Sequence, residues 1–253
     1  MLHFRIKWAA LLMAQVITLL QKGEIMRYII TVTGASGVGK DTLVDALLCY
    51  NNVKTPSGVS KIAAKFWCEA TKPHPSIREL VSHTTRAPRT GEKDGIDYHF
   101  ASLEEFLHID KIEETEYAGN HYCLAESELA AITDGGFGIV IVDQHGVDCI
   151  SQFVDKHSDE YTLIPIFLTC TPELSASRMK QRGDSQESID RRLAQQAMRN
   201  EYNPHDPDKY KYIFEITNKN ELRDAVYLLQ HDLMGKAFAK KLSEFVKRKI
   251  VSD

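Results

Sequence analysis

Gly34-Ala-Ser-Gly-Val-Gly39-Lys40 sets two glycines five residues apart and follows the second with a lysine. Glycines let successive backbone N–H groups converge on phosphate oxygens, and a lysine beside them reaches the outer phosphates as a mobile point charge. Gly34, Ser36, Gly37, Val38, Gly39 and Lys40 are therefore a candidate phosphate cradle of the P-loop type. A P-loop carries Ser or Thr directly after the lysine as a Mg²⁺ ligand. Here that place holds Asp41, with Thr42 one residue later. A carboxylate beside phosphates is repelled unless a cation lies between them. Two roles are open to Asp41: ligating Mg²⁺, directly or through water, with Thr42 as the companion ligand, or favouring the N-terminus of a helix.

A second set of anion-binding groups lies downstream. Arg86 and Arg89 can each fork onto a phosphate, Pro88 and Gly91 shape the loop between them, and Tyr98 offers a hydroxyl to the same anion. A basic loop of this kind is otherwise solvated surface. Its position in a chain that already carries a phosphate cradle favours a second phosphate site.

These groups need a scaffold, and the chain describes one. Tyr28–Val32 is a β-rich run before the glycines, and TLVDALLCY after Lys40 has helical spacing, giving the strand, turn and helix that a P-loop requires. Asn51–Ser60 reads as loop and Lys61–Ala70 as a short helix, ended by Pro73 and Pro75. Strands are expected at Glu79–Val81 and around Tyr98–Phe100. Phe137–Val142 and Tyr161–Leu168 are apolar enough to be buried on both faces of a parallel sheet, although Pro165 requires a place where no donor is needed. Helices are expected at Glu126–Ile132, Gly146–Lys156, Thr171–Gln181, Ser185–Glu201 and Glu221–Met234, and Ser102-Leu-Glu-Glu105 has the form of a capping box. Strands alternating with helices predict a three-layer α/β/α fold around a mainly parallel sheet.

At 253 residues and 43% hydrophobic composition the chain can bury a substantial core, and 31 Lys+Arg against 35 Asp+Glu gives no basic excess for a nucleic-acid partner. The five scattered cysteines contain no C-x-x-C, so neither a disulfide framework nor a zinc site is expected, and a cytoplasmic location fits. Residues 1–20 place Arg5 and Lys7 ahead of a short apolar run. Residues 1–25 are read either as an extension upstream of a start at Met26 or as an amphipathic helix packed on the domain. After Gly235 a basic amphipathic helix is expected, residues 235–253, either the solvated outer helix of the domain or a surface for a membrane or partner.

The stretch Ser82-His-Thr-Thr-Arg86-Ala-Pro-Arg89-Thr-Gly91-Glu92-Lys-Asp-Gly95-Ile-Asp97-Tyr98-His-Phe100 resembles the GMP-binding signature of guanylate kinases nearly residue for residue. The resemblance implies an ATP-dependent kinase of GMP and dGMP with Mg²⁺ as cofactor, no nucleic-acid or membrane partner, and a monomeric or homodimeric state. It implies a P-loop NTPase-like domain over 26–234, with its core in 26–81 and 137–234, a small nucleoside-monophosphate-binding subdomain at 82–125 and a helical lid near 182–205. Glu113-Glu-Thr-Glu-Tyr-Ala-Gly119-Asn120-His121-Tyr122 is similar to the family segment that reads guanine with its first Glu and holds phosphate with its last Tyr. By the same likeness Arg86, Arg89, Glu92, Tyr98 and Tyr122 serve the acceptor phosphate loop, and Ser82 and Glu113 the base. Arg182 and Arg192 correspond to lid arginines, with Asp184-Ser-Gln-Glu187 as the cap of the lid helix. Arg178 and Asn218 fall on the ATP side, Asn218 at an adenine contact. Asp143 matches an acceptor-side aspartate at a strand end, where an isolated Asp is otherwise a helix N-cap. The Gly-Thr or Gly-Ser expected after the last Tyr is Cys123-Leu124 here. Losing that hydroxyl costs about 1–3 kcal/mol and weakens the preference for GMP. A kinase of another phosphorylated acceptor and a catalytically silent binding module are the alternatives.

Overall fold

A computed structural model describes residues 26–49, 77–117 and 119–251. The loop and helix expected over 51–70, and residues 1–25, lie outside the described residues. Strand β1 (Arg27–Thr33) leads through the glycine turn into α1 (Lys40–Cys49). It lies at the centre of a five-stranded sheet with β2 (Ile77–Glu79), β7 (Phe137–Ile141), β8 (Tyr161–Thr169) and β9 (Tyr212–Glu215), in the order β2-β7-β1-β8-β9. Every pairing in it is parallel. Side chains alternate across a strand, so Ile30 and Val32 pack into one core with Leu43 and Leu47 of α1, while Ile29 joins a second core with Val140 and Phe167. Helix α4 (Gln144–Lys156) closes that second face with Val147, Ile150 and Val154. Helix α7 (Lys219–Val251) covers the first with Val226, Leu229 and Leu233. The result is the three-layer α/β/α arrangement expected.

Pro165 sits where β9 has not yet begun: its carbonyl accepts from Lys211 N at 3.0 Å, just before β9 starts at Tyr212. Its missing N–H faces that same side, so no ladder bond is lost.

Residues 83–125 build a separate four-stranded sheet, in the order β4-β3-β6-β5. Its strands are β3 (His83–Thr84), β4 (His99–Phe100), β5 (Lys111–Tyr117) and β6 (Asn120–Ala125), with β6 antiparallel to both neighbours and β3 parallel to β4. Between β4 and β5 lies α2 (Leu103–Leu107), whose capping box is formed: Glu105 N donates to Ser102 Oγ at 3.2 Å and Ser102 N to Glu105 Oε2 at 2.8 Å. The short α3 (Glu126–Ala130) follows β6.

Several boundaries differ from the sequence reading. The edge strand ends at Glu79, before Leu80 and Val81. Helix α6 (Gln186–Met198) stops short of Glu201, because Asn200 adopts φ 50°, the left-handed conformation that ends helices. It follows α5 (Pro172–Gln181) and is capped by Ser185, whose hydroxyl accepts from Ser188 N at 3.3 Å. Asp184 is not the cap expected; Arg182 claims its carboxylate. Helix α7 runs unbroken through Gly235, so the segment beyond continues that helix.

Candidate functional site

The cradle forms where β1 ends. Gly34 has φ +138°, and a Cβ there would lie 2.1 Å from the Leu168 carbonyl oxygen of β8. Only glycine lets the loop pass this close to the neighbouring strand. Lys40 Nζ donates to the carbonyls of Gly34 at 2.6 Å and Ala35 at 2.9 Å, folding over the loop. Burial, above all, lowers its pKa. Arg178 of α5 braces the outside, donating to Gly37 O at 3.3 Å, Val38 O at 3.1 Å and Ile216 O at 2.8 Å. Ser175 Oγ donates to Ser36 O at 2.6 Å, and the Tyr202 hydroxyl lies 3.1 Å from Ser175 Oγ and 2.7 Å from Gln196 Oε1 of α6. The loop is thus tied to α5 and, through Tyr202, to α6.

The four-stranded sheet faces the cradle. Arg86 binds Glu92 through both terminal nitrogens, at 3.0 and 2.9 Å, and Glu92 Oε2 also accepts from Arg89 N at 2.7 Å. The pair holds Glu92 below the usual carboxylate range, chiefly through its hydrogen bond with Arg86. The Arg86 guanidinium lies over the rings of Tyr98 at 5.3 Å and Phe100 at 5.8 Å, and Tyr98 meets Tyr122 edge-on at 6.0 Å. Glu113 is buried, and burial first, then the charge of Asp143, pushes its carboxyl up to about 7, against the pull of the Leu124 N–H. Gly146 of α4 lies beside it, where a Cβ would crowd Val142 Cβ at 2.9 Å and stand 3.4 Å from Glu113 Oε2. Asp143 is the N-cap of α4, accepting from Gly146 N at 2.8 Å on Oδ1, and its Oδ2 accepts from Thr115 Oγ1 at 2.9 Å.

Between cradle and sheet lies a cavity of about 310 Å³. It brings together eight sequence-predicted residues: Gly34, Ser36, Lys40, Ser82, Tyr98, Glu113, Tyr122 and Asp143. Arg86, Arg89 and Glu92 stand outside its lining, Arg86 behind the Tyr98 ring. Asp41 is exposed in the first turn of α1, and neither it nor Thr42 lines the cavity. Arg182 and Arg192, expected from the sequence as lid arginines, both meet Asp184, Arg192 at 3.9 Å, and both act electrostatically on Lys40. Asn218 serves the start of α7, its Oδ1 accepting from Asn220 N at 2.8 Å and Glu221 N at 3.2 Å.

Thr115, Gln144, Arg199 and Glu201 also line the cavity and escaped the sequence reading. Gln144 anchors the stretch after α6, donating to Asn203 O at 3.1 Å and accepting from His205 N at 2.7 Å. For Arg199 and Glu201 the signal was Asn200, a residue tolerant of the left-handed turn that swings both out of the helix. Among the described residues no group of three or more His, Cys, Asp or Glu side chains gathers as a metal cluster, Cys123, Cys149 and Cys170 are free thiols, and no helix is long and apolar enough to cross a membrane.

Comparison with known proteins places these features in a group. The guanylate kinase family model matches residues 55–234, a span that begins after the glycine cradle. A guanylate kinase of Neisseria gonorrhoeae is 33% identical over 172 residues, covering 66% of this chain and 70% of that protein. One of Pseudomonas fluorescens is 32% identical over 170 residues, covering 64% and 68%. The crystal structure of guanylate kinase from Anaplasma phagocytophilum aligns with a TM-score of 0.50 at 19% identity, over 85% of this chain and 86% of that one, and shares its fold.

Proposed function

This chain belongs to the guanylate kinase family, whose activity is GMP phosphorylation, and we propose that it transfers the γ-phosphoryl group of ATP to GMP and dGMP in the cytoplasm. The observation that carries this reading is one cavity lined at the same time by Lys40 of the cradle and by Tyr98, Glu113 and Tyr122 of the opposing sheet. A triphosphate held by glycine amides and a monophosphate held by arginines and tyrosines would then face one another over a short gap.

In the reaction an oxygen of the acceptor phosphate attacks the γ-phosphorus in line, a new P–O bond forms, and the β–γ bridging oxygen leaves with ADP. Such a transfer asks the protein for positioning and charge neutralisation more than for covalent chemistry. Lys40, Arg182 and Arg192 neutralise the transferring group. Arg86, Arg89, Tyr98 and Tyr122 hold the acceptor phosphate, while Glu92 keeps Arg86 in place. Ser82 and Glu113 read the base. Arg178 supports the ATP side by bracing the cradle carbonyls, and Asn218 borders it. Closure of the lid excludes water and limits loss of ATP by hydrolysis.

The oxygen donors at the start of α1 are Asp41 and Thr42, outside the cavity lining, while Asp143 and Glu201 stand in the cavity wall. That set suits Mg²⁺, which binds few protein ligands and completes its shell with water and phosphate oxygens. Asp41 and Thr42 would hold the ion, which when bound neutralises charge on the outer phosphates.

An ADP-release assay across GMP, dGMP, AMP, UMP and CMP tests the reading. Turnover with GMP and dGMP above the others is expected; no turnover with any acceptor would identify a binding module instead. The buried, hydroxyl-free Leu124 favours one second reading, a kinase with relaxed base preference, which a comparable rate with AMP would reveal.

A further inference from the structure

Among the described residues, Lys40 and Arg199 are the two cationic side chains in the cavity wall. Arg86 stands outside that wall and is held by Glu92, Arg178 grips the cradle carbonyls, and Arg182 and Arg192 meet Asp184. No hydrogen bond or ion pair engages the Arg199 guanidinium among the described residues. Its backbone, by contrast, is fixed. Arg199 N donates to Gln195 O at 3.0 Å, Asn200 turns left-handed, and Glu201 N returns to Gln196 O at 2.9 Å, which closes the end of α6. The Arg199 carbonyl also lies 3.0 Å from His205 Nε2. A pinned turn thus carries a guanidinium, with its donors free, at the wall of a cavity that already holds Lys40.

Glu201, just past the turn, lines the same wall and feels both cations: burial raises its carboxyl, while Lys40 and then Arg199 draw it down. One carboxylate is therefore within electrostatic reach of a positive group on the cradle side and of another at the end of α6. A phosphoryl group in transfer carries more negative charge than a carboxylate and spreads it over its equatorial oxygens. A planar guanidinium can fork onto two of those oxygens, which the point charge of Lys40 cannot do.

We propose that Arg199 is a further catalytic residue, whose guanidinium bridges two oxygens of the phosphoryl group while it passes from donor to acceptor. Arg199 exchanges no proton and forms no covalent bond. Its charge offsets that on the oxygens as the bond to the acceptor forms and the bond to ADP breaks. The inference rests on the reading that the chain transfers a phosphoryl group from ATP to GMP.

The test measures kcat and both KM values, with ATP and GMP, for the full chain and its Arg199→Ala and Arg199→Lys variants. Ala should lower kcat about 10²-fold and move either KM by less than about threefold, the pattern of a contact made chiefly in the transition state. Lys, which restores the charge without the fork, should fall between Ala and wild type. Millimolar guanidinium added to the assay should recover part of the Ala variant's rate and leave wild type unaltered. An Ala variant as fast as wild type would show that Arg199 serves only the C-terminal dipole of α6. A loss of kcat that added guanidinium does not relieve would show that the side chain only braces the turn. Either result overturns the proposal. Should the Ala variant fail to fold, Arg199→Gln gives the same comparison. Wild-type chain that transfers nothing to GMP would overturn the proposed function and this proposal together, whereas full GMP turnover in the Ala variant overturns this proposal alone.

Discussion

In the phosphate cradle Lys40 and Arg178 are held by main-chain carbonyls, those of Gly34 and Ala35 for the first and of Gly37, Val38 and Ile216 for the second. Across the cavity the charged groups are held by side chains as well as by the main chain, Arg86 by Glu92 and the Ala87 carbonyl, Asp143 by Thr115 and Gly146 N. A carbonyl is a neutral partner, so a triphosphate draws Lys40 away from it at little electrostatic cost. A carboxylate competes with the incoming phosphate for the same guanidinium, and what it offers in exchange is orientation. On the proposed function, the cradle is then a prebuilt anion site, and the facing sheet a site whose selectivity depends on which paired groups stay paired.

The sharpest way to break this contrast is to remove one cation from each side. Lys40→Ala should lower kcat by about 10²–10³, the range for loss of one group that stabilises transition-state charge, with little change in the KM for GMP. Arg86→Ala should raise the KM for GMP by about 10–100-fold, as for a hydrogen-bonded charge worth about 1.5–3 kcal/mol, and leave the KM for ATP nearly unaltered. Equal loss of both substrates in either variant would mean that the two halves do not act separately.

A smaller effect sharpens the acceptor side. Burial, then Asp143, raises the Glu113 carboxyl to about 7, and only its ionised form accepts from N1–H and the 2-amino group. The kcat/KM for GMP should therefore rise several-fold as pH increases through about 7, and Glu113→Gln should flatten that rise in a pH–rate profile. A profile unchanged by the substitution would remove Glu113 from base reading.

The smallest effect probes the helix that carries the cradle. Asp45 of α1 is buried with Oδ2 unpartnered, and burial raises its carboxyl from 3.8 to about 6. The folded state then favours the neutral form, so the penalty is absent below 3.8 and grows as pH rises through about 6. Asp45→Asn should relieve it, raising Tm by about 2–4 °C per kcal/mol recovered in melts well above pH 6 and by nothing below 3.8. An equal gain at both ends of the pH range would assign the effect to packing instead.

What could be read in advance followed from how local each feature is. Thr171 and Ser102 cap their helices where the sequence reading began them or placed a cap, because a cap needs only the next turn of its own chain. Lys111–Tyr117 gave no strand signal: KIEETEY is mostly charged, and it becomes a strand by pairing with β6 across a turn in which Gly119 has φ 74°. Asp184 looked like a cap and instead binds Arg182, since a guanidinium two residues away outbids a backbone N–H for a carboxylate.

Sequence alone determined the glycine cradle, the buried parallel strands and the arginine-rich loop, each a contiguous run whose geometry follows from its own backbone and neighbours. The cavity is another matter, because its wall draws on residues from Thr33 to Glu201 that meet only when the strand order β2-β7-β1-β8-β9 folds them onto one edge. Which hydroxyl lines the cavity, which carboxyl titrates near pH 7 and which arginine is already paired depend on burial and on partners brought together by the fold. Those quantities are set by the three-dimensional dielectric and packing, and no stretch of sequence carries them by itself.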